Sequence, residues 1–276
     1  MSAFIYPLAS TSTAPLSFKG STLILPVVSV GSAPQLAVDL IINSKDLGLR
    51  KVARIDPNYC LPFIGPSERI QASGSQDEND VCTALEVFQN LDALTVVQQR
   101  SPVIKSQEAQ FVSELLAWIR DSEFKEVLVL SSIDAAARTD AEFETPLLHL
   151  TPIGQPSRVN SLSERLSKSF PAFEARPPPS HLVPRSFSSA DEKQTIPLIP
   201  GGGLTRKILR AASSSGLEAD TGAVLLFCGE GDNRGDGHAL AKVACTLVGS
   251  QPKGEFEEPP SWSSLFGQPI DQSMFG

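Results

Sequence analysis

The chain has 276 residues, 41% of them hydrophobic and 20% charged, which supplies enough apolar surface for a core and suits one large domain or two small ones. Its net charge of -8 repels polyanions at long range, so nucleic acid and anionic membranes are excluded as general partners, and proteins or small molecules are expected instead. No apolar run approaches the ~20 residues of a membrane-spanning helix.

Cys60, Cys82, Cys228 and Cys245 are widely separated and form no CxxC pair at metal-ligand spacing, the pattern of buried free thiols in a reducing compartment. The first residues contain no base before Lys19 and are interrupted by Pro7 and Pro15, so they lack the features of a secretory signal or transit peptide. The expected location is the cytoplasm, with the nucleus as a second compartment.

From Thr22 to Val30, "TLILPVVSV" is an apolar, β-branched run that predicts a strand. A helix follows, with Ser32 as cap, Pro34 in the first turn, Leu36, Leu40 and Ile41 on one face and Gly48 as stop. Val52 to Asp56 reads as the next strand, which predicts a right-handed βαβ unit with parallel strands. Two β-rich runs around Asn90-Leu91-Asp92 then predict an antiparallel hairpin.

Ser106 as cap, Glu108 in the first turn and a stripe of Phe111, Leu115, Trp118 and Ile119 predict an amphipathic helix. It leads into "EVLVLSS", a strand apolar enough to be covered on both faces. Leu147 to Pro152 reads as a strand, and Ser157 to Ser169 has helical spacing through Val159, Leu162 and Leu166. Residues 170–193 are rich in Pro and Ser and read as an exposed insertion.

Beyond them, "TIPLIPGGG" reads as a strand end and glycine hinge, followed by a helix from about Leu204, the strand "GAVLLFC" and a helix from Asp236 to Val248. The last stretch has neither helical nor strand period. The alternation predicts one α/β domain, a three-layer sandwich with a mixed, mostly parallel sheet. Its limits are residues 21–250, with a variable N-terminal segment at 1–20 and a C-terminal tail at 251–276.

Three groups of residues are candidates for chemistry. Gly201, Gly202 and Gly203, opening a helix, have the backbone freedom of an anion cradle or of a structural corner. They match neither GxxxxGK[ST] nor GxGxxG. The loop "CGEGDNRGDGHAL" gathers Glu230, Asp232, Asp236 and His238 after an apolar strand, where an open sheet would place a ligand, yet it fails the calcium-loop template; Asp236 also reads as a helix cap. Ser131 and Ser132 end a strand without a GxSxG elbow, His149 lies in a predicted strand and His181 in the Pro-rich insertion. No nucleophile, base and acid share an address.

Leu23 to Ile42, Cys60 to Gly65, Leu115 to Ser132, "IPGGGLTRKIL" (Ile199 to Leu209), "EGDN" (Glu230 to Asn233) and "PPSWSSLFG" (Pro259 to Gly267) occur in an order that resembles the proteasome assembly chaperone 2 family. The likeness runs from Leu23 to Gly267, outside the first 20 residues and the Pro-rich insertion. It implies a fold similar to purine nucleoside phosphorylases, no enzymatic activity and no cofactor. It further implies a heterodimer with proteasome assembly chaperone 1 that binds proteasome alpha subunits, promotes alpha-ring formation and prevents off-pathway ring dimers. In this light Gly201, Gly202 and Gly203 are a structural signature.

Met274, Phe275 and Gly276 resemble the hydrophobic, tyrosine, any-residue motif of proteasome-binding tails, with Phe at the tyrosine position. That change removes a hydroxyl and a hydrogen bond of about 1 kcal/mol. Trp262, Leu265 and Phe266 read either as an anchor of the tail on the protein's own body or as part of a partner surface. A small-molecule enzyme of nucleoside or phosphate chemistry is the alternative function, resting on fold analogy and the glycine turn.

Overall fold

The computed structural model describes residues 4–8, 16–67, 81–153, 159–174, 196–217 and 219–262. Strand β1 (Ile5–Pro7) precedes β2 (Thr22–Pro26), helix α1 (Ala33–Asn43) and β3 (Arg50–Ile55). A small separate hairpin, β4 (Ile64–Pro66) and β5 (Val81–Thr83), leads to β6 (Leu85–Gln89) and β7 (Leu94–Gln99). Helix α2 (Glu108–Asp121), β8 (Glu126–Asp134), β9 (Leu147–Leu150) and α3 (Leu162–Ser169) come next, then α4 (Gly203–Ser214), β10 (Asp220–Cys228) and α5 (Arg234–Val248).

Eight strands form one mixed sheet in the order β1-β3-β6-β7-β2-β8-β10-β9. The central pairings β7–β2, β2–β8 and β8–β10 are parallel, and the flanking ones are antiparallel. The period-2 alternation of strand side chains divides the core between two faces. Val127, Val129, Ala223 and Leu225 face α2 and α4, whereas Leu128, Leu130, Val224 and Leu226 face α1, α3 and α5. This is the expected three-layer sandwich.

The hairpin around Asn90 forms as expected, since the Asn90 side-chain oxygen accepts from Asp92 N at 3.0 Å and Leu94 N at 2.9 Å. Its position corrects the predicted βαβ unit. Strands β2 and β3 point the same way, but β7 and β6 lie between them. Strands consecutive in sequence are therefore not neighbours here, because the β6–β7 hairpin takes the place beside β2.

Several helix boundaries also differ. Ser32 is at the N-cap of α1 with φ of 54° and no capping bond from its side chain, and α1 ends at Asn43, so Gly48 instead closes the short turn Lys45–Leu47. Gln107, not Ser106, precedes α2. Ser161 caps α3 through Glu164 N at 3.2 Å, leaving Val159 outside the helix and exposed. Asn233, not Asp236, precedes α5. Residues 196–200 are not a strand, because Arg206 Nε binds the carbonyls of Ile196 at 3.0 Å and Pro197 at 2.9 Å, holding that backbone out of any ladder.

The N-terminal residues enter the fold. β1 pairs antiparallel with β3, and the Phe4 ring lies 5.8 Å from that of Tyr59 and 6.0 Å from that of Phe111. Phe18 meets Trp118 edge-on at 5.5 Å. The expected start at residue 21 therefore falls inside the packed body. At the other end, residues 251–262 run back over α5. No helix among the described residues is long and apolar enough to cross a membrane.

Candidate functional site

At the carboxyl ends of β2, β8 and β10, where an open α/β sheet offers its crevice, the chain closes on itself. Ser29 Oγ donates to Val27 O at 3.0 Å and accepts from Ser132 N at 2.8 Å, tying the end of β2 to β8. Gly31 then turns with φ of 68°, a conformation that disfavours side chains. A Cβ placed there would lie 2.6 Å from Asn233 Nδ2 and 2.7 Å from Gly229 O. There is no room between the two loops for a ligand to reach that backbone.

Asn233 organises the opposite loop. Its buried Nδ2 donates to Gly31 O at 3.1 Å, Gly229 O at 3.0 Å and Gly231 O at 3.0 Å, and its Oδ1 accepts from Cys228 Sγ at 3.1 Å. Asp232 is engaged by Arg234, whose side-chain hydrogen bond holds the carboxyl below its usual range. Burial first, and then Asp236, push the Cys228 thiol up to about 12. It is a protonated structural donor rather than a nucleophile.

The glycine turn is part of the same closure. Pro200 O accepts from Asp134 N at 3.4 Å, Gly202 N donates to Ile199 O at 3.0 Å, and Gly201, with φ of 75°, would place a Cβ 2.7 Å from Val30 Cγ2. Gly203 is the first residue of α4. Directly behind, Thr205 Oγ1 and Ser131 Oγ meet at 2.7 Å in the core, while the buried Ser132 Oγ has no hydrogen-bond partner among the described residues. These hydroxyls sit among packed elements, and among the described residues no histidine hydrogen-bonds to either.

The remaining polar candidates are dispersed. His149 Nδ1 lies 2.8 Å from Phe170 O at the β9 edge. His238 Nε2 meets Glu258 on the segment after α5, and His181 lies outside the described residues. Among the described residues, no group of three or more His, Cys, Asp or Glu is placed to hold a metal ion.

The segment after α5 forms a second, more accessible feature. Gly249, with φ of 73°, ends α5 and reverses the chain. Lys253 N and Gly254 N then donate to Asp46 Oδ2 at 3.0 and 3.1 Å, and Lys45 Nζ pairs with Glu257 at 3.0 Å. Further along, His238 Nε2 lies 2.9 Å from Glu258 Oε1, and the His238 ring is flanked by Phe256 at 6.4 Å and Trp262 at 6.2 Å. Trp262 is only 2% exposed and belongs to the core on the α1 and α5 side.

Trp262 therefore faces the body. Leu265 and Phe266, and the tail residues Met274, Phe275 and Gly276, lie outside the described residues. Sequence reading missed the acidic contacts of this segment, although the spacing of Phe256, Glu257, Glu258 and Trp262 was the signal for a chain that packs through some residues and pairs through others. It also missed the buried charges Asp39 and Glu86, whose partners Arg100, just beyond β7, and Lys51, on β3, are remote in sequence.

Residues 23–219 match the PAC2 family. The chain is 34% identical to Proteasome assembly chaperone 2 of Nematostella vectensis, over 82% of this chain and 88% of the relative. It is 32% identical to the protein of the same name in Danio rerio, over 94% and 96% of the two chains, and 28% identical to that of Homo sapiens, over 93% and 95%. In structure it is similar to Pyrococcus furiosus PbaA, an archaeal homolog of proteasome-assembly chaperone, with a TM-score of 0.58 at 11% identity over 87% of this chain and 85% of that one. Pyrococcus furiosus PbaB, an archaeal proteasome activator, gives 0.55 at 10% identity over 91% of each chain. At such identities the structural likeness is one of fold.

Proposed function

Because the chain belongs to the PAC2 family, we propose that it is a chaperone for assembly of the proteasome core particle, acting in the cytoplasm and nucleus. It pairs with proteasome assembly chaperone 1, and the heterodimer binds alpha subunits, promotes formation of the alpha ring and prevents off-pathway ring dimers. The observation that carries this reading is similarity to Proteasome assembly chaperone 2 over nearly the whole length of both chains.

The closed crevice supports a role without catalysis. Backbone and side-chain atoms of the two loops satisfy one another across the space where a substrate would enter. An obligate heterodimer interface buries about 2,000 Å² or more, and the α/β body supplies the surface for it. Met274, Phe275 and Gly276 add a tethered contact to the alpha ring, which raises affinity through effective concentration.

Affinity purification of the tagged chain from its own cells, followed by mass spectrometry, tests the proposal. The expected result is recovery of a second small α/β chaperone and alpha subunits without mature catalytic beta subunits. Recovery of neither class overturns it. Deleting residues 274–276 is expected to weaken alpha-ring binding and to leave the heterodimer intact.

A further inference from the structure

We propose that residues 61–66, which lead into and form β4, are the centre of the surface that docks the partner chaperone, and that they meet an apolar, uncharged face of that protein. The heterodimer proposed above is the premise; residues 61–66 are where its two chains meet.

The sequence here is Leu-Pro-Phe-Ile-Gly-Pro, six residues without a charged or polar side chain in a chain that is 20% charged. Leu61, Phe63 and Ile64 are 51%, 42% and 74% exposed, and Pro62 and Pro66 are exposed beside them. The three large side chains together present on the order of 300 Å² to water, the size of the largest apolar patch on an ordinary monomer. Other exposed apolar residues, such as Leu91 and Val159, occur singly, as they do on most protein surfaces.

The exposure is imposed by the fold. Leu61 N donates to Pro102 O at 3.2 Å and Leu61 O accepts from Ser101 Oγ at 2.6 Å, so both backbone groups of the first residue are fixed. Just before it, Cys60 forms a β-bridge with Val103. On the other side, β4 pairs with β5 through Ile64 with Thr83, Gly65 with Cys82 and Pro66 with Val81. Strand β5 is in turn clipped to the main sheet: Lys51 Nζ donates to Val81 O at 2.8 Å, and the buried Glu86 accepts from Thr83 N and Thr83 Oγ1, each at 3.1 Å. Alternation along the pair turns the buried Cys82 into the body and leaves Ile64 and Pro66 on the opposite face. The apolar side chains are held outward by a backbone pinned on both sides.

Composition selects the occupant. Residues 61–66 offer no side-chain hydrogen bond, so burial alone must hold whatever docks there. Obligate interfaces are the more hydrophobic class and bury about 2,000 Å² or more, or about 1,000 Å² on each side. The run supplies about a third of that as an apolar centre, and the polar rim comes from its surroundings. Alpha subunits, which an assembly chaperone must release, call instead for the more polar surface of a non-obligate contact.

The test co-expresses the full chain with its partner chaperone and measures how much partner and how much alpha subunit the tagged chain recovers. Three forms are compared: unmodified, Phe63→Ser/Ile64→Asp, and Leu91→Asp as the control for a polar change at an isolated exposed residue. The expected result is at least a tenfold loss of partner from Phe63→Ser/Ile64→Asp, the size of effect typical at the centre of an interface, and full recovery with Leu91→Asp. Undiminished recovery of the partner overturns the proposal, and so does loss of alpha subunits alone, which would assign the run to them. Failure of the unmodified chain to recover the partner removes the heterodimer itself, and this surface with it. Should the double variant fail to fold, a benzophenone photo-crosslinker at position 64 of the otherwise unmodified chain decides. The expected adduct is with the partner chaperone; adducts only with the chain's own residues, a second copy or alpha subunits, or none at all, overturn the proposal.

Discussion

Asp39 on α1 and Arg100 just beyond β7 meet at 2.6 Å, with the carboxylate side chain 3% exposed and the guanidinium 20%. Gln98 Nε2 donates to the second Asp39 oxygen at 2.8 Å, so the acid is held by two groups of one strand end. Burial pulls the Arg100 pKa down, and Asp39 together with Cys82 outweighs it, leaving the cation firmly protonated.

Breaking that pair strands a buried charge. Asp39→Ala is expected to destabilise by about 3 kcal/mol, the low end for buried pairs because Arg100 keeps some contact with water. Replacing both partners, Asp39→Leu with Arg100→Met, is expected to recover most of the loss. Urea unfolding of the unmodified protein and these two variants checks both, and a double variant as unstable as Asp39→Ala would assign the loss to packing rather than charge.

The first and last of the three consecutive glycines are predicted to respond in opposite directions. Gly201→Ala places a side chain at φ of 75° against Val30, at a penalty of about 1–3 kcal/mol. Gly203, in α4, has no atom within 4 Å of an added Cβ, so Gly203→Ala is expected to stabilise by about 0.4–1 kcal/mol through a less disordered unfolded state. Thermal unfolding of the two variants separates the corner from the helix start.

Burial pushes the thiols of Cys60, Cys228 and Cys245 up to about 12. An unfolded thiol titrates near about 8.5, so these groups favour the fold below that pH, and their contribution is lost as pH rises from about 8.5 towards 12. The denaturation midpoint is expected to fall across that window, and to fall less in a Cys60→Ala/Cys228→Ala/Cys245→Ala variant at matched pH. A neutral maleimide at pH 8 is expected to label the cysteines only after unfolding, since all four are buried and free.

The helices were legible because their signals are local. Phe111, Leu115, Trp118 and Ile119 define α2 by spacing alone, and all are buried. Strand β8 was legible because an apolar run covered on both faces has few alternatives. Strand order was not, since nothing near Thr22 or Val52 states that β6 and β7 will come between them. The site divides in the same way. Trp262 stood out by type, whereas the roles of Gly31 and Asn233 depend on loops 202 residues apart in the chain that meet only in the fold, and that of Ser29 on a partner 103 residues away.

A phosphate or nucleoside ligand at 100 times its dissociation constant would stabilise by about 2.7 kcal/mol. Neither inorganic phosphate nor a nucleoside is expected to shift the melting temperature of this protein, given the Gly31 contacts with Asn233 and Gly229. A saturable rise in melting temperature would restore the enzyme alternative.

The place of β2 in the sheet has a consequence for synthesis. Leu23, Ile24 and Leu25 emerge from the ribosome early, but their neighbours in the finished sheet are β7 and β8, the latter pairing Leu23 with Val127. Such long loop closures slow folding. A chain growing at about 5–20 residues per second thus carries an unpaired apolar strand for several seconds before β8 is available. A protein proposed to guard the assembly of others has, during its own birth, a window in which it needs guarding.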